Sequence, residues 1–238
     1  MARISDMNGN TGDNDGSYYQ LFGDRKLAYL MSQIQAAIIR NGNELEKWVI
    51  RTIPKENKNG LANIFGGKIR NNRKEIVCKP KMPASGELKA IISDFAIFNH
   101  IERHFWIVEL KAGYQFDTQK SDKAKENLQK ITTFVSRKTY YMGDFAVCSF
   151  YTDSKDEIIS GFKKRFSEKQ IFTGPEFCHH LGIDYDQVLK YQRIDQIANR
   201  EYLVKMVELI KAQVEERLYF ESAIELRTGQ LRLFEGIG

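Results

Sequence analysis

The chain has 238 residues and a mass of 27.6 kDa; 42% of the residues are hydrophobic and 12% aromatic, which allows one packed core with an appendage and excludes global disorder. Charged residues make up 28%, and no apolar run approaches the ~18 residues that span a bilayer, which excludes a helical membrane protein. The net charge of +5 is too mild to imply nucleic acid by itself, but residues 55–81 hold eight basic residues against two acidic, while residues 1–24 hold one against four; a concentrated basic segment of this kind reads either as a polyanion-binding face or as a solvated loop.

The N-terminus is polar and acidic, without the apolar core of a secretory signal. Residues 1–23 are rich in Asn, Asp, Gly and Ser and read as a flexible arm. From Asp24, a plausible N-cap, Leu27, Leu30, Met31, Ile34, Ile38, Leu45 and Val49 recur at three- and four-residue steps and predict a helix that ends before Pro54. Asn41-Gly42-Asn43 is expected to kink or divide it. Residues 55–74 read as a Gly/Asn/Lys/Arg loop, followed by strands over 75–79, 88–99 and 104–111, a helix over 118–138 and a strand over 144–151. Beyond residue 152 the pattern is mostly helical, over 156–166, 175–181 and 195–220. The order predicts an α/β fold: a core over 24–151, carrying the basic loop 55–81, and a mostly helical region over 152–238.

Cys78, Cys148 and Cys178 lie far apart with no Cys-x-x-Cys pair, which predicts a reducing, cytoplasmic compartment and no Cys-based zinc site. Consecutive Cys178-His179-His180 cannot readily converge on one ion. His100 and His104 read as turn residues, and Gly66-Gly67-Lys68 lacks the spacing of a phosphate loop.

An acid two residues before a lysine occurs five times, so that pattern alone says little. Only Glu109-Leu110-Lys111 closes a strongly apolar strand, Phe105-Trp106-Ile107-Val108, where charges are costly unless paired or bound to metal. Asp94 sits in the other apolar strand, with fourteen residues between it and Glu109. With Ile101 and Glu102 at a hairpin tip, Phe98 faces Phe105, Ala96 faces Ile107 and Asp94 faces Glu109. Opposed carboxylates repel unless a cation sits between them, and Lys111 shares their face. A plain Asp–Lys or Glu–Lys salt bridge at a strand end is the alternative.

Ser93-Asp94, fourteen residues, then Glu109-Leu110-Lys111 resembles the signature of the PD-(D/E)XK nucleases, with Ser93 where that motif has proline. The resemblance covers about residues 25–151, and within the superfamily the chain is most similar to a type II restriction endonuclease. It implies a restriction-endonuclease-like core, a central mixed β-sheet flanked by helices. It also implies Mg²⁺ held by Asp94, Glu109 and the Leu110 carbonyl, Lys111 at the attacking water, and a further acid on the first core helix, Glu46 or else Glu44. Lys68, Arg70, Arg73 and Lys74 of the basic segment, and Lys120 and Lys123 near a helix start, are the expected contacts to double-stranded DNA. The partners implied are a second copy of the chain and a companion DNA methyltransferase acting on the same site, with the helical region 152–238 serving DNA contact or dimerisation. A repair or phage-defence nuclease of the same superfamily, or a catalytically silent DNA-binding protein, are the other readings.

Overall fold

The computed structural model describes residues 3–7, 17–69, 73–84, 89–113 and 118–235. The chain divides into two units, Asn41–Tyr191 and Met1–Arg40 with Gln192–Gly238. Helix α1 spans Ser17–Phe22 and α2 spans Arg25–Thr52. Asp24 caps α2: its Oδ1 accepts the Leu27 amide at 2.9 Å. The helix runs on through 41–43 without a break, and the division between the units falls at that point. In the terminal unit, Ile4 and Met7 bury against Ala37, with Ile34, Tyr202 and Leu203 around them. The first half of α2 therefore buries Leu30 and Ala37, and Ile38, one position round from Ala37, is 68% exposed instead of buried as expected.

In the unit Asn41–Tyr191 the chain continues through α3 (Leu61–Phe65), β1 (Lys74–Cys78), β2 (Lys81–Met82), β3 (Ile91–Ile92), β4 (Phe95–Asn99), β5 (His104–Lys111), α4 (Thr118–Thr139) and β6 (Met142–Ser149). Then come α5 (Lys155–Gly161), β7 (Ile171–Thr173), α6 (Gly174–Leu181) and the start of α7 (Tyr185–Glu235). The five-stranded sheet has the order β1-β4-β5-β6-β7. Its β1, β4 and β5 are antiparallel neighbours, while β5, β6 and β7 are parallel. Its fifth strand comes from beyond residue 151, so this unit runs past the boundary expected there. Residues 55–81 likewise carry a helix and an edge strand as well as loop.

Side chains alternate along each strand, so both faces of the sheet are buried. Phe95, Ile97, Val108 and Leu110 pack with Leu45, Val49 and Ile53 of α2 and Phe177 and Leu181 of α6. Ala96, Phe98, Phe105 and Ile107 pack with Leu128, Ile131 and Val135 of α4. The β4–β5 register is the expected one, with Phe98 opposite Phe105 and Ala96 opposite Ile107. The strand expected over 88–99 is broken, however. Pairing ends at Phe95 with Val108, and β3 pairs with β2 in a separate two-stranded sheet. The break is made by polar side chains: Ser93 Oγ donates to the Val108 carbonyl at 2.9 Å, and Asp94 turns to the amide of Leu110.

Candidate active site

Asp94 sits where the β4–β5 ladder stops. The expected opposition of Asp94 to Glu109 in that ladder is not found, because the Asp94 carboxylate takes the place of the next rung. Asp94 Oδ2 accepts the Leu110 amide at 2.7 Å in a buried setting. A strand residue directs its N–H and C=O to the same neighbour. The Leu110 carbonyl therefore shares the edge that Asp94 caps, whereas the Lys111 carbonyl turns the other way and accepts the Phe150 amide.

Asp94 Oδ1 accepts from Lys79 Nζ at 2.8 Å, and Lys79 also pairs with Glu46. Glu46 reaches this point because Leu45, Val49 and Ile53 anchor the second half of α2 on the sheet. Glu44, the alternative, lies on another side of the helix and pairs with Lys47 at 2.7 Å. Lys111 Nζ donates to Glu109 Oε1 at 2.6 Å, as residues two apart on one strand face can. Glu109 lines a small cavity with Ser93 on one side and Ala124 and Asn127 of α4 on the other.

Burial raises the Glu109 carboxyl above its ordinary 4.5, Asp94 adds to the rise, and Lys111 opposes it. Glu46 is raised in the same way, by burial first, with Lys79 pulling down and Asp94 pushing up. For Lys79 burial acts downward, but the hydrogen bonds to Asp94 and Glu46 outweigh it and hold the ammonium above its ordinary 10.5. Lys79 was not singled out from sequence; the signal available was a lysine at the exit of an apolar strand, immediately before Pro80.

The expected DNA contacts fall into two places. Lys120 and Lys123 stand on the first turns of α4, just ahead of Ala124 and Asn127, at the end of the sheet that carries Glu109. Lys74 pairs with Asn99 at the opposite end of β1 from Lys79, about 16 Å away at strand rise. It is half-buried there, and burial lowers its ammonium despite Glu102 nearby. Arg73 joins the same end, where its carbonyl accepts the His100 amide. Lys68 is exposed, its carbonyl held by Asn59, which also bonds the buried Glu75. Arg70 lies outside the described residues. The structure thus gathers Glu46, Asp94, Glu109, Leu110 and Lys111, with Lys79 added, and leaves Lys68, Arg73 and Lys74 apart from them.

A mixed sheet flanked by helices, with paired acids and lysines where its central strands end, defines a restriction-endonuclease-like fold. The chain is 34% identical over 234 residues to the type II restriction enzyme HhaII of Haemophilus parahaemolyticus, an alignment covering 92% of this chain and 100% of the relative. The chain belongs to the type II restriction enzymes, and is accordingly a site-specific deoxyribonuclease. No family model gives a match, and no solved structure gives a significant one.

Proposed function

We propose that the protein is a Mg²⁺-dependent nuclease of the PD-(D/E)XK superfamily that cuts both strands of a specific duplex sequence from the site around Asp94. The observation that carries this reading is the grouping of Asp94, Glu109 and Lys111 at the ends of two adjoining strands, with the Leu110 carbonyl on the same edge. Among the described residues no three His, Cys, Asp or Glu side chains form a closed metal cage. Mg²⁺ does not need one, since it binds through one or two carboxylates and keeps several waters. The charges fit as well. Glu46, Asp94 and Glu109 against Lys79 and Lys111 leave one net negative charge when all are ionised, so a dication would leave a positive site facing a phosphodiester.

Asp94, Glu109 and the Leu110 carbonyl would hold the ion, which when bound lowers the pKa of a water and neutralises phosphate oxygens. Lys111 then orients the attacking water and offsets charge gathering on the phosphorus oxygens. Glu46 acts from behind, through Lys79. Lys120 and Lys123 contact the DNA backbone beside the site, and Lys68, Arg70, Arg73 and Lys74 contact it further along. Cutting two strands of a two-fold site requires two such centres, which supports a homodimer. Its setting would be the cytoplasm, with a DNA methyltransferase protecting the same sequence. No helix among the described residues is long and apolar enough to cross a membrane.

Digestion of a sequenced plasmid tests the reading. Discrete fragments with one common end sequence are expected in Mg²⁺ or Mn²⁺ and none in EDTA, and efficient cutting in EDTA would refute the metal mechanism.

A further inference from the structure

Lys79 combines three features that an ordinary surface lysine does not. Its ammonium touches two carboxylates from different parts of the chain, Asp94 immediately before β4 and Glu46 on α2. Its backbone is tied to the same residue, with its amide donating to the Asp94 carbonyl at 2.8 Å. And its φ is +53°, in the left-handed region that a non-glycine residue rarely occupies without compensation. Strain of this kind persists where surrounding contacts overdetermine it, and here Lys79 is held by its backbone bond to Asp94 and its ion pairs to Asp94 and Glu46. The side chain is still 45% accessible, so burial does not explain its position.

We infer that Lys79 is a positioning residue that serves as the chain's own cation between Glu46 and Asp94. It turns Asp94 so that one oxygen faces Lys79 and the other stays on the Leu110 edge. It also reserves the Glu46 side of Asp94 for an ammonium, so a divalent ion is confined to the Glu109 side. The inference rests on the metal-dependent reading above and assigns Glu46 to holding Lys79 instead of holding metal. Removing Lys79 leaves Glu46 and Asp94 facing each other with no cation between them. That raises the negative potential at the site while loosening Asp94, so ion binding and catalysis should move in opposite directions.

The test is calorimetric titration of Ca²⁺ into the metal-free full chain, paired with single-turnover cleavage in Mg²⁺. Lys79→Met is expected to bind Ca²⁺ at least about tenfold more tightly than wild type, or with one additional site, because a full charge a few ångströms away has been removed. Its cleavage rate should fall at least about tenfold. Glu46→Gln in the Lys79→Met background removes the exposed negative charge and should bring Ca²⁺ affinity back toward wild type, a coupling that a merely structural role would not produce. Ca²⁺ affinity that is unchanged or weaker in a folded Lys79→Met would overturn the inference, and so would tighter binding with cleavage at the wild-type rate. Should Lys79→Met not fold, Lys79→Arg decides: it keeps the charge, so its Ca²⁺ affinity and stoichiometry should stay at wild type, and a change in either overturns the inference. Failure of the wild type itself to bind Ca²⁺ or to cut in Mg²⁺ would instead count against the metal-dependent reading.

Discussion

Glu109 is held where its ionised form is least comfortable. Burial and Asp94 both raise its carboxyl, so folding penalises the ionised form relative to the protonated one. For a group raised on folding, the stability contribution is intact below its unfolded value and is lost as pH rises through the raised folded value. Glu109→Gln should therefore raise the melting temperature of the metal-free protein at neutral pH, and the difference should vanish near pH 4 and below, measured by thermal denaturation across pH. The same substitution should stop cleavage, a stability gain bought at the active site. Protonation also competes with metal, so Ca²⁺ affinity of the wild type should begin to fall on acidification above the usual glutamate range. For Lys111, the 2.6 Å bond to Glu109 fixes a compact ammonium on the strand face it shares with that carboxylate. Lys111→Ala should cut at most about one-hundredth as fast in single-turnover assays. Lys111→Arg should not rescue it, because a guanidinium has a different reach and stays protonated.

At the scale of elements, α6 depends on how it leaves β7. Thr173 accepts the Glu176 amide and Glu176 accepts the Thr173 amide, a reciprocal cap with Pro175 next to the first residue of the helix. Gly174 stands so close to the chain that an added Cβ would lie 2.1 Å from the Phe150 carbonyl oxygen and 2.6 Å from the Tyr185 ring. Backbone cannot give way as a side chain can. Gly174→Ala should cost about 3 kcal/mol in denaturant unfolding, and Thr173→Ala about 1 kcal/mol. That turn was not legible in the sequence, because three residues of β7 carry too little periodicity to be told from a loop. Strands β1 and β5 were legible as short apolar runs, and helix α4 from its three- and four-residue spacing. The β4–β5 register was legible from the hairpin tip. The break at Ser93-Asp94 was not, because it depends on where two polar side chains find partners across the sheet. For the same reason Lys79 went unseen: its meaning comes from Glu46 and Asp94, which lie 33 and 15 residues away along the chain.

For the whole molecule, the question is which surface meets DNA. Charge density along the chain points to residues 55–81, whereas the fold sets Lys68, Arg73 and Lys74 toward the far end of β1, and Lys120 and Lys123 on the first turns of α4, the helix whose Ala124 and Asn127 line the cavity at Glu109. Each lysine that contacts a phosphate releases counterions, so its removal should lower the slope of log affinity against log salt by about one. In Ca²⁺, Lys120→Ala and Lys123→Ala should each show that loss together with slower cleavage in Mg²⁺. Lys68→Ala, Arg70→Ala, Arg73→Ala and Lys74→Ala should weaken binding while sparing the cleavage rate of the bound complex. Unchanged slopes in all six would move the DNA-binding surface elsewhere. The central claim is that Asp94 organises the site that cuts. It is tested most directly by single-turnover cleavage of a duplex carrying the recognition sequence by Asp94→Ala, with binding of the same duplex measured alongside. The account predicts measurable specific binding and no cleavage in Mg²⁺; cleavage by Asp94→Ala at the wild-type rate would contradict it.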